Sequence, residues 1–293
     1  MNCPWRERMG WIRTMPLEKK VQRSLQVLEA VVKEMDDGLP LIVNFSGGKD
    51  SVACMLLARE VTDRVELCYV DGGFDLPETL RYVREQAERF GLRLHVPRPG
   101  EVSQDHREDG IPAHVQVFED YVRWYGYWPT AARRWCSCWC KQRVMKNYWR
   151  QLYDANTVLY KLNGVRMFES PTRLWKYGNP KHFRKYTVNG SYFLRHDSEH
   201  RPCICVYPVI EWTVDDVVAY IASRGVELHA GYKLFGVSGC KWCPVHTPDV
   251  YRRILSVHPE LYDDFIALEG EINRPAVQGG VWLRDLKREV VGP

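Results

Sequence analysis

The chain has 293 residues and a net charge of +4, from 41 Lys and Arg against 37 Asp and Glu, with 45% hydrophobic and 27% charged residues. That balance is ordinary for a folded globular chain and excludes a disordered or fibrous one. No apolar run reaches the roughly 20 residues of a membrane span, and residues 1–16 carry charges and tryptophans where a signal peptide has its apolar core; a cytoplasmic protein with no membrane partner is expected. Residues 17–36 place Val21, Leu25, Leu28, Val32 and Met35 on one helical face, and Gly38-Leu39-Pro40 ends that helix. An apolar strand from residue 41 runs into Ser46-Gly47-Gly48-Lys49-Asp50-Ser51, and a helical pattern starts at once and continues to about residue 61. A second strand, 65–70, stops at Asp71-Gly72-Gly73; Pro77 opens a helix that Gly91 stops; residues 92–96 form a third strand. Successive strand–helix units predict an α/β fold, a parallel twisted sheet with helices on both faces.

The later segments are less regular. Residues 97–135 hold turn formers and many aromatics, 141–153 read as a helix, 157–162 as a strand, and 172–201 as a polar and aromatic insertion. A strand follows at 202–210, then a helix at 213–223 capped by Thr213 with Asp216 three residues on, then a long helix at 248–271. The chain divides on this reading into an N-terminal helical segment 1–38, a nucleotide-binding α/β domain 39–212 with the insertion 172–201, and a smaller C-terminal helical region 213–293 that carries a cysteine motif.

The turn at residues 46–51 reads as a phosphate cradle. Its glycines let backbone N–H groups turn toward an oxyanion, and the helix start adds partial positive charge. Lys49 adds a full charge, and Ser46 and Ser51 add hydroxyl donors. The spacing is not that of Walker A, which needs four residues between its first Gly and Gly-Lys-[Ser/Thr]. Asp71 to Thr79 follows the second strand, and ligands in open parallel sheets sit beyond the carboxyl ends of strands; Asp71 and Gly73 are thus expected at the same nucleotide, with Asp71 bonding ribose or base or holding Mg²⁺ through water. Two basic stretches, 133–150 with six Lys/Arg and no acid and 173–201 with seven Lys/Arg against Asp197 and Glu199, fit anionic substrates.

Ten cysteines in a cytoplasmic chain argue against a disulfide framework, and their clustering argues for metal or redox chemistry. Cys240 and Cys243 have a spacing that lets two thiolates reach one metal, and Cys136, Cys138 and Cys140 supply the other pair. On a helix, 136 and 140 share a face and 138 points away; on an extended segment all three converge. Four thiolates suit Zn²⁺ or a [4Fe–4S] cluster. Cys54 and Cys68 read as core residues, and Cys203 and Cys205, in an apolar strand, as packing residues expected on opposite sides of it. His246 and His258 read as structural polar groups.

The chain resembles the phosphoadenosine phosphosulfate (PAPS) reductase family of the PP-loop ATP-pyrophosphatase superfamily. The matching residues are Ser46 to Ser51; Asp71, Gly73, Pro77, Glu78 and Thr79; Arg134, Cys136 and Lys141; Gly164, Arg166, Glu169, Ser170 and Arg173; Pro208, Val209, Trp212, Thr213, Asp216 and Val217; and Gly239, Cys240, Cys243 and Pro244. Gly72 stands where that family has Thr. The resemblance implies an adenine nucleotide alpha hydrolase-like fold, ATP (or adenylyl sulfate or PAPS) with Mg²⁺, and a [4Fe–4S] cluster on Cys136, Cys140, Cys240 and Cys243, with Cys138 the alternate ligand and Zn²⁺ the alternate metal. Lys49, Asp50, Lys141, Arg166 and Arg173 are the candidate catalytic residues; for Arg166 and Arg173 the structural alternative is that one pairs with Glu169. Members of the family that reduce sulfonucleotides use a cysteine near the C-terminus, and no Cys follows Cys243 here. The expectation is therefore an ATP pyrophosphatase that adenylates an acceptor for sulfur transfer, the alternatives being a sulfonucleotide reductase or a non-catalytic nucleotide- and cluster-binding subunit. A nucleic acid acceptor at Trp175, Tyr177, Phe183 and Tyr186, a sulfur donor protein and a homo-oligomer are the further partners considered.

Overall fold

The computed structural model describes residues 10–36, 38–102, 104, 109–178, 187–188, 191–198 and 201–292. The elements in chain order are α1 (Leu17–Glu34), β1 (Leu41–Asn44), α2 (Lys49–Val61), β2 (Val65–Cys68), α3 (Pro77–Arg89), β3 (Arg93–His95), α4 (Phe118–Tyr125), a helical turn Trp135–Ser137 that runs into a π-helix Cys138–Arg143, α5 (Val144–Leu152), β4 (Leu159–Asn163), α6 (Pro171–Gly178), β5 (Thr187–Val188), β6 (Ser191–Ser198), β7 (Arg201–Val206), α7 (Val214–Ser223), α8 (Ala230–Leu234), α9 (Pro248–Val257), α10 (Asp263–Ile272) and α11 (Leu283–Val291).

The strands lie in the order β3-β2-β1-β4-β7-β6-β5. The first five are parallel, as the strand–helix alternation predicts, and β6 runs antiparallel to β7. Leu41, Ile42, Val43, Leu159 and Leu162 are fully buried, the pattern of strands covered on both faces. Helix α2 is buried almost all round, from Ser51 to Ala58, because apolar residues occupy successive positions there. Cys54 and Cys68 sit in this core as expected, and burial pushes the Cys68 thiol up to about 12.

The chain forms two compact units. One comprises Met1–Tyr69, Val83–His95 and Tyr153–Leu228; the other comprises Val70–Tyr82, Val96–Leu152 and His229–Pro293. They interleave along the sequence, so the contiguous segments 1–38, 39–212 and 213–293 do not map onto them one to one. The first unit holds the whole sheet. The second is helical, and its core is aromatic: the Phe118 ring lies 4.6 Å from Phe74, 5.4 Å from Trp135 and Phe265, and 5.5 Å from Trp242. Phe118 belongs to α4, a helix inside the stretch that read as irregular.

Two further expectations change. Where it is described, the insertion is regular structure and not an irregular segment. It begins as α6 and continues as β5 and β6, which extend the sheet. Tyr177 packs in a cluster with Ile12, Met167, Tyr207 and Ile210, while Trp175 is exposed; Phe183 and Tyr186 lie outside the described residues. The helix read over 248–271 is two helices, α9 and α10. Pro259 cannot continue a helix and disfavours helical backbone at His258 before it.

Candidate functional site

In the first unit, β1 delivers the chain to a tight turn. Gly47 has φ +73°, a conformation that side-chain-bearing residues rarely adopt. Gly48 then serves as the N-cap of α2 with no side-chain capping bond, so no side chain of the loop closes the helix start. The loop is tied internally: Ser46 Oγ accepts from the Gly48 N–H at 3.3 Å and lies 3.3 Å from Ser51 Oγ, and Ser51 Oγ donates to the Gly48 carbonyl at 2.8 Å. These bonds hold both hydroxyls at the turn.

The neighbouring parallel strand completes this site. A Cβ on Gly164, just past β4, would lie 2.6 Å from the Asp50 carbonyl carbon and 2.7 Å from the Ser51 nitrogen. Only glycine permits so close an approach to the start of α2. Two residues on, Arg166, 5% exposed, donates through Nε to Asp50 Oδ1 at 2.6 Å, and Lys49 Nζ lies 3.7 Å from the other Asp50 oxygen. Asp50 thus sits between two cations. Asn44 and Asn163, paired in register at the ends of β1 and β4, are joined by a 2.7 Å bond. The structure therefore gathers Ser46, Gly47, Gly48, Lys49, Asp50, Ser51 and Arg166. Arg173 pairs with Glu169 one helical turn away, both half exposed, which is the structural alternative for that residue.

In the second unit, Asp71 accepts from the Gly73 N–H at 3.1 Å and from Arg98 Nε at 2.9 Å. Gly73 has φ +81°. Gly72 has its own reason to lack a side chain: a Cβ there would meet the Phe74 ring at 2.7 Å and Lys141 Cε at 3.3 Å. Asp75, whose side chain is 4% exposed, accepts from the Gly72 N–H at 3.2 Å and from Lys141 Nζ at 2.9 Å, and the same ammonium lies 3.4 Å from Cys240 Sγ. Burial works against the charged Lys141, but Asp75 and Cys240 outweigh it and hold its pKa above the ordinary value. Lys141 therefore groups with the cysteines. The rest of the loop is structural: Glu78 bonds His258 at 2.6 Å, and Thr79 bonds His229 at 3.0 Å and the Gly239 backbone. Leu76 N donates to the Gly239 carbonyl at 2.7 Å, and Lys241 N to the Phe74 carbonyl at 2.8 Å, so the 71–79 loop and the Cys240 turn are stitched backbone to backbone.

Cys136, Cys138 and Cys140 are helical, and the first and third are buried while the second is half-buried, the outcome of the helical alternative. All five cysteines of the unit are free thiols. Cys136 interacts electrostatically with Cys243, Cys140 with Cys136 and Cys240, and Cys240 with Cys243. Burial pushes the Cys136 thiol up to about 11 and raises Cys140 and Cys240 as well, the Lys141 charge opposing it at each. Among the described residues no group of three or more His, Cys, Asp or Glu side chains is arranged to hold a single metal ion. His246 is 8% exposed, and burial lowers its pKa to about 4, so it is neutral, as a structural histidine should be.

Arg98 and Asp75 are the site-lining charges that sequence reasoning missed. Asp75 carried a signal, since it lies within the 71–79 motif; Arg98 carried none. Cys203 and Cys205 need correction. They do not face opposite sides: residues two apart on a strand share a face, and their sulfurs lie 3.8 Å apart.

The family model for the phosphoadenosine phosphosulfate reductase domain matches residues 40–245. Two uncharacterized proteins of Methanocaldococcus jannaschii are similar to this chain. One is 26% identical over 254 residues, covering 85% of this chain and 53% of the relative. The other is 24% identical over 258 residues, covering 85% and 47%. The chain thus spans about half the length of these relatives. A crystal structure of PAPS reductase from Candida auris in complex with phosphate aligns at 16% identity over 73% of this chain and 87% of that one, with a TM-score of 0.45.

Proposed function

The chain belongs to the phosphoadenosine phosphosulfate reductase domain family, and on that premise we propose that it is a PP-loop ATP pyrophosphatase that adenylates an acceptor for sulfur transfer. The observation that carries this reading is the glycine turn at the uncapped start of α2, with Gly164 pressed against it and Arg166 beside it. Backbone amides and the helix dipole suit the polyphosphate, and Mg²⁺ bound with the nucleotide would offset the phosphate charge. An acceptor oxygen attacks the α-phosphorus and expels pyrophosphate; a sulfur nucleophile then displaces AMP. Lys49 and Arg166 favour the charge that builds on the transferring group. Asp50, held between them, fixes the direction of both. The acceptor class is a nucleic acid or a small molecule.

The donor set of the second unit fits a [4Fe–4S] cluster better than a lone ion: four thiols from two short segments, interacting over charge–charge range without closing on one point. Cys136, Cys140, Cys240 and Cys243 would hold it, Cys138 being the alternate, and when bound it would supply electron transfer or a cross-link between the segments. Lys141 and Asp75 position Cys240 for that role.

The test is product analysis with anaerobically purified protein. ATP with candidate acceptors should give pyrophosphate, and adding sulfide as the sulfur nucleophile should release AMP and leave sulfur on the acceptor. Sulfite release from PAPS or adenylyl sulfate with an electron donor would instead establish the reductase reading, and nucleotide binding with neither product would leave a non-catalytic subunit.

A further inference from the structure

Strand β7 carries a second pair of thiols, in the first unit and separate from the cysteines above. Cys203 and Cys205 are two residues apart, lie on one face of the strand, are both half-buried, and have their sulfurs 3.8 Å apart. From this geometry we infer that Cys203 and Cys205 form a two-thiol chelate for a thiophilic divalent cation of the zinc class.

The spacing is the argument. Two metal–sulfur bonds of about 2.3 Å at a tetrahedral angle set their sulfurs about 3.8 Å apart. A pair already at that separation closes on an ion without moving the strand. The backbone is fixed on both sides, by β4 in parallel register and by β6 in antiparallel register. Two thiolates this close repel each other, and a bridging cation cancels the repulsion. The flanking polar groups suit an outer layer: the Asn163 side chain and the Tyr207 hydroxyl lie beside Cys205. Two protein thiolates leave two of four tetrahedral positions for water or an exchangeable ligand.

The pair is also connected to the phosphate loop. Asn163 takes the 2.7 Å bond from Asn44, which lies two residues before Ser46. Asn163 therefore stands between Cys205 and the strand that carries the loop. The inference stands on the thiols alone, whatever nucleotide the loop takes.

The experiment is residue-resolved thiol labelling. Reduced, metal-free protein is pulsed with N-ethylmaleimide with and without three equivalents of Zn²⁺, enough to fill the cysteines of the second unit as well, and modified peptides are quantified by mass spectrometry, which separates these two cysteines from the other eight. With Zn²⁺, Cys203 and Cys205 should label at least about tenfold more slowly, since a metal-bound thiolate is a poor nucleophile, and EDTA should restore the rate. In Cys203→Ala the protection of Cys205 should disappear. Unchanged labelling of both residues in wild-type protein overturns the inference. Persistent Zn²⁺-dependent protection of Cys205 in Cys203→Ala overturns it too, because that outcome reports occlusion instead of chelation.

Discussion

Gly164 and Arg166 show how a motif becomes geometry. Gly164→Ala drives a methyl group into the Asp50–Ser51 backbone, and the strain of such overpacking is about 1–3 kcal/mol. Urea denaturation should show that loss, and ATP titration should show affinity falling about tenfold or more, since the displaced element is the loop itself. Arg166→Ala leaves Asp50 facing Lys49 alone; we expect a loss of roughly 2 kcal/mol in stability, with Arg166→Lys intermediate because the ammonium lacks the planar donor fork. Both residues were legible in sequence through their spacing after a strand. Arg173 was not separable from Arg166 there. The structure pairs Arg173 with Glu169 at the surface, a contact that spacing alone does not reveal. Likewise, the sequence shows only that Gly72 stands where the family has Thr, whereas the structure shows the Phe74 ring and Lys141 crowding any side chain there.

Helix α7 was read correctly from its first four residues. Thr213 Oγ1 accepts from the Asp216 N–H at 3.2 Å, and Asp216 Oδ2 accepts from the Thr213 N–H at 2.6 Å. What the cap pattern did not announce is the third partner, Lys20, 1% exposed, whose ammonium donates to the same oxygen. Thr213→Ala should cost about 1 kcal/mol, the usual loss of a cap. Asp216→Asn should cost about 3–5 kcal/mol, because it leaves the Lys20 charge buried without its partner. Burial alone would raise the Asp216 pKa, but the Lys20 and Thr213 bonds more than offset it and hold it below the ordinary value. Its contribution is therefore complete above the unfolded aspartate value of about 3.9 and is lost as pH falls through the lower folded value. Thermal melts of wild type and Asp216→Asn should converge below about pH 4. Helices α8 and α11 and the α9–α10 break escaped the sequence reading, since short helices carry too few turns for periodicity to declare itself.

At the scale of the molecule, the parallel sheet was legible because each strand–helix repeat has a clear period, and the glycine turn was legible as a turn because it punctuates the first repeat. The partition into units was not, because no linker or composition change marks the crossings. The metal prediction belongs at this scale, since its ligands come from segments about a hundred residues apart. Protein purified without oxygen should be brown and carry about four irons and four sulfides per chain. Cys240→Ser should lose both the colour and the iron, and a colourless, iron-free wild-type sample would remove the cluster from the proposal. The chain passes between the two units after residues 69, 82, 95, 152 and 228, and this has a practical consequence. Trimming from either terminus never liberates an intact half. A splice that yields one of them must rejoin three separated stretches, and the cut after residue 82 falls in the middle of helix α3. Fragment-based dissection, the ordinary route to assigning activities within a polypeptide, is closed to it by its own threading.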